Sequence, residues 1–149
     1  MNGVIFIGLQ ASGKSSFYFS NLFKTHIRLS LDMLKTRHRE NLLFNACLES
    51  KQPCVIDNTN PTKKDREKYI SQFKKHKFNV TGYYFSSRLS DCIARNALRE
   101  GKECIPVVGI KDTYNKLEIP HCNEGFDGLY YVSIKDGCFK IEEWTHEIQ

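Results

Sequence analysis

The sequence predicts a three-layer α/β domain in which a mostly parallel central sheet lies between two layers of helices. Short apolar runs typical of buried strands alternate along the chain with longer segments of helical periodicity. The length of 149 residues suits one domain, because domains commonly contain about 100–200 residues. Hydrophobic residues make up 40% of the chain and charged residues 26%, which is typical of a folded globular protein with one core. We therefore expect residues 1–149 to form a single domain.

The predicted strands are runs of apolar or β-branched residues that end at a polar residue or a turn signal. In chain order they are 4–7, 27–30, 53–57, 78–85, 129–134 and 138–142. The last two strands are separated by Asp136-Gly137, a strong signal for a two-residue turn, and we expect them to form a closing hairpin.

The predicted helices lie between these strands and carry apolar residues at helical spacing. In chain order they are 13–22, 32–50, 62–75, 87–99 and 109–117. Thr62 is a typical N-cap for the third helix, with Asp65 adding negative charge to its first turn. Ser87 or Ser90 is expected to cap the fourth helix, which should reach Arg99 and end by Gly101.

The strongest functional signal is the segment 8–15, G-L-Q-A-S-G-K-S, which matches the phosphate-binding pattern G-x-x-x-x-G-K-S. It lies after an apolar strand and before a helix, as this loop requires. Its glycines let the backbone wrap closely around phosphates, and the helix N-terminus favours an anion there. The expected nucleotide-binding residues are Gly8, Ala11, Ser12, Gly13, Lys14, Ser15 and Ser16.

Within this loop, Lys14 is expected to reach the β- and γ-phosphates of ATP, and the Ser15 hydroxyl to ligate Mg²⁺. Such a loop alone does not distinguish a kinase from a GTPase or a mechanical ATPase. The chain has no N-K-x-D element for guanine recognition, and it is short for a ring-forming ATPase with a lid domain. A small kinase also needs an acid after a second strand, a general base and cationic lid residues. Each has a candidate.

The candidate acid is Asp57, which ends an apolar run where a carboxylate can organise Mg²⁺ and its water shell. Asn58 and Asn60 follow it at the carboxyl end of the same strand, where parallel sheets bind their ligands. We expect these three residues to contact substrate, with Asp57 also at the metal. The segment 57–61, D-N-T-N-P, is also simply a good turn before a helix, and this alternative stays open.

The candidate base is Asp32, which lies at another junction between a strand and a helix, with Lys35 three residues later. In a helix this spacing places the carboxylate and the ammonium on one face. That arrangement suits a base that accepts a hydroxyl proton beside a cation that holds an acceptor phosphate. The alternative is an acid in the first turn of a helix, paired with Lys35.

The candidate lid cations are Arg95 and Arg99, which are four residues apart on one predicted helical face. Two guanidinium groups there would clamp phosphates and stabilise charge on the transferred group. A solvent-exposed basic face is the alternative.

These parts, in this order, resemble the kinase domain of the polynucleotide 5′-hydroxyl kinase family. They resemble still more closely the small stand-alone bacterial P-loop kinases, or AAA-type ATP-binding proteins, grouped beside it. The resemblance covers residues 4–132. Besides the phosphate-binding loop, it rests on L-S-L-D-M-L-K at 29–35, I-D-N-T-N-P at 56–61, R-N-A-L-R-E at 95–100 with I-P at 105–106, and E-G-F at 124–126.

The resemblance implies a P-loop fold with an arginine-bearing lid, and transfer of the γ-phosphoryl group of ATP, with Mg²⁺, to a 5′-hydroxyl of RNA or DNA. By this resemblance Asp32 would be the general base, Arg99 with Arg95 nearby would act on the phosphates, and Asp57 and Asn58 would order the metal side of the site. Two departures matter. Polynucleotide members carry arginine where this chain has Lys35, and the D-x-D motif of the phosphatase half is absent. A small-molecule or nucleoside kinase and a non-catalytic ATP-binding switch remain alternatives.

The net charge of +5 permits an anionic partner. The basic segment 35–39, with the lysine pairs at 63–64 and 74–75, could follow a nucleic-acid backbone or form solvated helix faces. The apolar runs are too short to span a bilayer, and the N-terminus lacks the basic region of a signal peptide. We therefore expect a cytoplasmic monomer that does not bind membranes. The six cysteines show no C-x-x-C spacing and are expected to be buried thiols in a reducing compartment.

Overall fold

In the computed structural model, which describes residues 1–145, a six-stranded sheet forms the centre of the molecule. The strands are β1 (Asn2–Ile7), β2 (Ile27–Leu29), β3 (Cys54–Ile56), β4 (Asn79–Phe85), β5 (Gly128–Lys135) and β6 (Cys138–Glu143). Their spatial order is β2-β3-β1-β4-β5-β6. The pairs from β2 to β5 are parallel, and β6 is antiparallel to β5. The predicted mostly parallel sheet is confirmed.

Six α-helices and two short 3₁₀ turns connect the strands within the described residues. The helices are α1 (Lys14–Asn21), α2 (Leu31–Leu34), α3 (Arg37–Ser50), α4 (Lys63–Lys75), α5 (Leu89–Ala97) and α6 (Val107–Lys116). The 3₁₀ turns are Gly101–Glu103 and Cys122–Glu124. A bilayer-spanning helix, which would need a long apolar stretch, is absent from residues 1–145.

The central strand β1 is buried on both faces, which explains its unbroken apolar sequence. Ile5 and Ile7 belong to the core cluster that includes residues of α3 and α4. Val4 and Phe6 point to the other face, where the ring of Phe6 meets that of Phe17 from α1 edge-on at 5.8 Å. Because the side chains of successive residues pack alternately into two separate clusters, the sheet lies between two helical layers, as the sequence predicts.

The helix α4 begins as predicted. The amide of Asp65 donates to the Thr62 hydroxyl over 3.1 Å, and the Thr62 amide donates back to the Asp65 carboxylate over 3.3 Å. This reciprocal capping box satisfies two donors that the first helical turn would otherwise leave without partners. The predicted closing hairpin is also confirmed, because Asp136 (φ 53°) and Gly137 (φ 76°) both adopt the positive φ of a tight two-residue turn.

The prediction of one helix over 32–50 is wrong, because the chain breaks at Lys35. The short helix α2 ends there, and Lys35 has a φ of 71°. The next residue, Thr36, caps α3 by accepting a 3.2 Å hydrogen bond from the Arg39 amide. The cap stabilises a new helix start, although no glycine or proline marks the break. Asp32 and Lys35 therefore do not share a helical face.

The predicted start and end of the fourth helix are also wrong. The N-cap of α5 is Arg88, and the helix ends at Ala97. The Ser87 hydroxyl makes no cap; it donates to the carbonyl of Phe85 over 2.8 Å. Arg99 lies beyond the end of α5 and so does not continue a helical face with Arg95.

The cysteines are all free thiols, but only half of them are buried. Cys47, Cys54 and Cys92 lie in the core, as predicted, whereas Cys104, Cys122 and Cys138 are exposed, which corrects the expectation for these three. The exposed cysteines lie at the ends of the 3₁₀ turns or on the edge strand β6.

Candidate active site

The loop 8–15 runs from the carboxyl end of β1 to the start of α1 and is fixed from both sides. The Gly8 amide donates to the carbonyl of Thr59 over 3.0 Å, and the Leu9 amide donates to the Ser87 hydroxyl over 3.1 Å. Gly13 has a φ of 98°, a left-handed conformation that glycine adopts without strain. Sequence reasoning assigned Ser87 to a helix cap and missed this support of the loop.

Other polar groups of the loop have no partner among the residues that the structure describes. The backbone amides of 14–16 are the first of α1 and make no hydrogen bond to the protein. The hydroxyl of Ser12 is buried and also lacks a partner. Since buried polar groups are normally hydrogen-bonded, these donors fit the phosphate group that the sequence predicts here.

The side chain of Lys14 lies over the loop. Its ammonium donates to the carbonyl oxygens of Gly8 at 2.9 Å and Leu9 at 2.6 Å. Burial is the main reason that its pKa is lowered to about 8, because a low-dielectric environment disfavours the charged form.

Charged groups from several distant parts of the chain also act on the pKa of Lys14. After burial, the influences are Asp57 and Cys92, which raise this pKa, then Arg99, which lowers it, and Asp32, which raises it. The candidate base, the candidate acid and a lid arginine therefore all lie within electrostatic range of Lys14, although they are far apart in sequence.

Ser15 and Asp57 form the candidate cation site. The Ser15 hydroxyl donates to Asp57 Oδ2 over 3.0 Å, and Asp57 is buried at the end of β3. Neighbouring ligands of an octahedral Mg²⁺ with bonds of 2.0–2.1 Å lie about 2.9 Å apart. Hydroxyl and carboxylate oxygens are also the ligand types that Mg²⁺ prefers. The residues present therefore fit the predicted ion.

Arg28 contacts both oxygens of this candidate site, and the sequence analysis did not predict it. Its Nε donates to Asp57 Oδ2 over 2.7 Å, and its Nη2 donates to the Ser15 hydroxyl over 2.9 Å. The reason is the pairing of β2 with β3, which places Arg28 beside Val55 and directs it to the same end of the sheet as Asp57. The local sequence signal for this contact is an arginine between the two apolar residues of the three-residue strand β2.

Asn58 connects the end of β3 to the turn that carries Asp32. Its side-chain oxygen accepts from the Leu31 amide over 3.0 Å, and its side-chain nitrogen donates to Glu40 over 2.8 Å. Glu40 is fully buried and also accepts a 2.6 Å hydrogen bond from the Tyr69 hydroxyl. This contact, with burial as the larger cause, raises the pKa of Tyr69. Asn58 therefore positions the residue that precedes Asp32.

Asn60 lies beneath the loop. It is buried, has a φ of 44°, and donates from its side chain to the carbonyl of Phe6 over 2.7 Å. Arg66 of α4 holds the same segment through hydrogen bonds to the carbonyl oxygens of Asn60 and Pro61. Its other two nitrogens form a fork with Glu124, at 2.8 and 3.1 Å.

The remaining predicted residues are exposed or half-buried. Asp32 and Lys35 are exposed, and no ion pair joins them in the described part of the chain. Arg95 is half-buried and donates to the carbonyl of Ala11 over 3.3 Å. Arg99 is exposed and donates to the carbonyl of Glu103 over 3.4 Å. Arg95 therefore contacts the loop directly, whereas Arg99 contacts its own turn.

Residues 4–109 match the model of a family described as AAA domain. A curated relative, the bifunctional polynucleotide phosphatase/kinase of Schizosaccharomyces pombe, is 26% identical over 148 residues. The alignment covers 95% of this chain and 35% of the relative, so the chain spans about a third of the length of that protein.

Two solved structures share the architecture. A gluconokinase from Sinorhizobium meliloti 1021 superposes with a TM-score of 0.65 at 15% identity, over 89% of this chain and 82% of that one. Kti12 of Chaetomium thermophilum, in complex with ADP-AlF3, superposes with a TM-score of 0.68 at 13% identity, over 90% of each chain. At these identities the likeness shows a common fold.

Proposed function

The chain belongs to the AAA domain family, as a P-loop kinase-like domain, and from this premise we propose that it transfers the γ-phosphoryl group of ATP to the 5′-hydroxyl of a polynucleotide. The observation that carries the proposal is the geometry of the loop, in which Lys14 lies buried over the loop carbonyls and the neighbouring Ser15 contacts Asp57 at the end of β3. The charges around Lys14 agree with it. Asp57 ends β3, Asp32 follows β2, and Arg99 follows α5, yet the charges of all three act on this one ammonium. A kinase needs a metal-side acid, a base and a phosphate-binding cation in one place.

The loop binds the phosphates of ATP in this proposal. The amides of 14–16 and the Ser12 hydroxyl donate to phosphate oxygens, and Lys14 turns from its own loop carbonyls towards the β- and γ-phosphates. Ser15 and Asp57 hold Mg²⁺, which when bound neutralises charge on the phosphate oxygens.

The acceptor side is built on the exposed turn after β2. Asp32 is accessible to a large acceptor and accepts the proton of the attacking hydroxyl. Arg95 and Arg99 stabilise the negative charge on the transferred group, and Arg95 already contacts the loop at Ala11. Asn58 contributes by fixing the backbone next to Asp32.

Two observations support a polynucleotide as the acceptor. The curated relative is named a polynucleotide phosphatase/kinase, and the alignment with it covers almost the whole of this chain. In addition, the chain carries exposed cationic residues shortly after Asp32, and they can neutralise backbone phosphates. They are Lys35, Arg39 and Arg37, the last of which also pairs with Glu40.

A nucleoside or another small hydroxyl compound is the second candidate acceptor, and Lys35 favours it. Lysine is a point charge, and it lacks the planar fork with which arginine holds a phosphate in two hydrogen bonds. Lys35 also lies at the break between α2 and α3, not on a helical face with Asp32. A phosphate on the acceptor would therefore be held less tightly here.

The test is transfer of labelled γ-phosphate from ATP with Mg²⁺. The acceptors are 5′-hydroxyl RNA and DNA oligonucleotides of matched sequence, a 3′-phosphomononucleotide, and a pool of nucleosides and small hydroxyl compounds. The variant D32N removes the base, and D112N, which changes an exposed carboxylate on α6, is its matched control.

We expect label on the oligonucleotides, a loss of about 10²–10⁴-fold in transfer by D32N, and no loss by D112N. ATP affinity should stay within about twofold in both variants, since Asp32 contacts the acceptor. Label found in the small-molecule pool alone would move the acceptor to a metabolite. ATP binding without transfer to any acceptor would refute the kinase and support a nucleotide-binding switch.

A further inference from the structure

Arg28 contacts the same two oxygens that fit the divalent cation. Its Nε lies 2.7 Å from Asp57 Oδ2, and its Nη2 lies 2.9 Å from the Ser15 hydroxyl oxygen. A guanidinium group stays protonated in proteins and can only donate hydrogen bonds. It therefore uses the lone pairs that a metal ion would need, and its charge repels a divalent cation at that position.

We propose that Arg28 is the protein's own occupant of this cation site, so that a divalent cation binds there only by displacing the guanidinium. The inference rests on the proposed function for one step alone, the assignment of Ser15 and Asp57 as the residues that hold the cation. It adds a competitor within the chain, which sets how strongly the site binds metal.

The exchange requires little movement of the cation-binding oxygens. Ser15 Oγ and Asp57 Oδ2 are already 3.0 Å apart, close to the spacing of neighbouring ligands around Mg²⁺. Arg28 also compensates the charge of Asp57, whose side chain is only 2% exposed and would otherwise be an unpaired buried carboxylate. Arg28 therefore keeps the two oxygens in place, and its own side chain is the part that has to move.

A second partner for the displaced guanidinium lies beside it. The side chain of Arg28 is 18% exposed, so it has a path to solvent. Its guanidinium carbon is 5.7 Å from the centre of the Phe19 ring, and Phe19 is 58% exposed on α1. An arginine over an aromatic face is favourable, and this contact does not depend on Asp57, so the guanidinium can keep it after it leaves the carboxylate.

The experiment measures Mn²⁺ binding by the decrease in the electron paramagnetic resonance signal of the free ion, with neither nucleotide nor acceptor present. The variant R28Q removes the positive charge of Arg28 and the two N–H donors that contact Asp57 and Ser15. K24Q is the matched control, because it removes an exposed cation from the segment that joins α1 to β2. The double variant R28Q/D57N tests whether the ion binds at the proposed oxygens.

We expect the Kd of Mn²⁺ to fall at least about tenfold in R28Q and to stay unchanged in K24Q. The gain should disappear in R28Q/D57N. An unchanged or higher Kd in R28Q, or a gain that survives D57N, overturns the proposal. Failure of the kinase assay would leave these results intact, because the titration contains no substrate.

R28K gives a second measurement that does not depend on the folding of R28Q. A lysine can contact one of the two oxygens but cannot bridge both as the fork does. Its Kd for Mn²⁺ should therefore lie below the wild-type value and above that of R28Q. A Kd for R28K equal to or above that of wild type overturns the proposal by itself.

Discussion

The buried ion pair of Arg66 and Glu124 should make a large contribution to the free energy of unfolding, and a single change from Glu to Gln tests it. Arg66 is fully buried, and the side chain of Glu124 is 3% exposed. The change E124Q keeps the size and shape of the side chain but removes its charge. It also replaces one acceptor oxygen with an NH₂ group, which faces either Arg66 Nε, or Arg66 Nη2 together with the amide of His121; all of these are donors.

The structure sets the expected magnitude. Breaking a buried ion pair by neutralising one partner costs about 3–5 kcal/mol, because the remaining charge stays buried without compensation. At about 2–4 °C per kcal/mol for a chain of this size, E124Q should lower the Tm by about 10 °C. Replacing both partners in R66M/E124L should cost less, about 2 kcal/mol, since no charge is left and two backbone carbonyls lose a donor.

The assay is urea denaturation followed by circular dichroism, with thermal melting as a second readout. The matched control is E142Q, whose carboxylate forms an exposed pair with Lys140 and should contribute less than about 0.5 kcal/mol. If E124Q lost less than about 1 kcal/mol, or if R66M/E124L were less stable than E124Q, the pair would not act as an unscreened buried charge pair. The reasoning would then be refuted.

Two further predictions concern hydrogen bonds elsewhere in the fold. N58A should lower the free energy of unfolding by about 2 kcal/mol in urea denaturation, because two hydrogen bonds are lost. N58D should lower it further, because the new carboxylate faces the buried carboxylate of Glu40. Equal losses in the two variants would contradict this explanation. The hydrogen bond from Lys74, and then that from the Val80 amide, lowers the pKa of Asp127. Ionised Asp127 should therefore stabilise the fold by about 1 kcal/mol above about pH 5, and this contribution should be lost as pH falls through the lowered pKa. The difference in stability between wild type and D127N, measured from pH 7 to pH 2, should vanish at the acid end; a constant difference would contradict it.

The sequence predicts those features of the site that depend on neighbouring residues. The loop 8–15 is recognisable because glycines, lysine and serine must follow one another between a strand and a helix. The capping box at Thr62 and the turn at Asp136-Gly137 are likewise local, and the structure confirms both. The break at Lys35 is local too. The predicted helix 32–50 places Thr36 in its interior, whereas threonine is a common N-cap and caps α3 here.

The features that the sequence did not reveal depend on contacts between elements that are distant in sequence. Arg28 reaches Asp57 because β2 pairs with β3 in a parallel register, and nothing within 27–30 specifies that register. Burial of Glu40 is unpredictable for the same reason, since its partners Asn58 and Tyr69 come from other elements. Charged residues are rarely buried unless they are paired, and the pairing becomes visible only in three dimensions.

The contacts of Arg66 connect two motifs that are distant in sequence. Arg66 donates to the carbonyl oxygens of Asn60 and Pro61 in the segment D-N-T-N-P, and its fork holds the glutamate of E-G-F at Glu124. One buried guanidinium thus joins both motifs and fixes the backbone that follows Asp57.

Several side chains of these two motifs therefore stabilise the scaffold. Asp57 in D-N-T-N-P contacts Ser15 at the proposed cation site, whereas Asn58 and Asn60 are bound to protein groups. Resemblance in these motifs argues for a kinase framework that holds ATP and metal in one geometry. The choice of acceptor should depend instead on the exposed segment 32–39, which lies outside this buried network except for Arg37. Substitutions at Lys35 and Arg39 should therefore change acceptor preference without the loss of stability expected for E124Q.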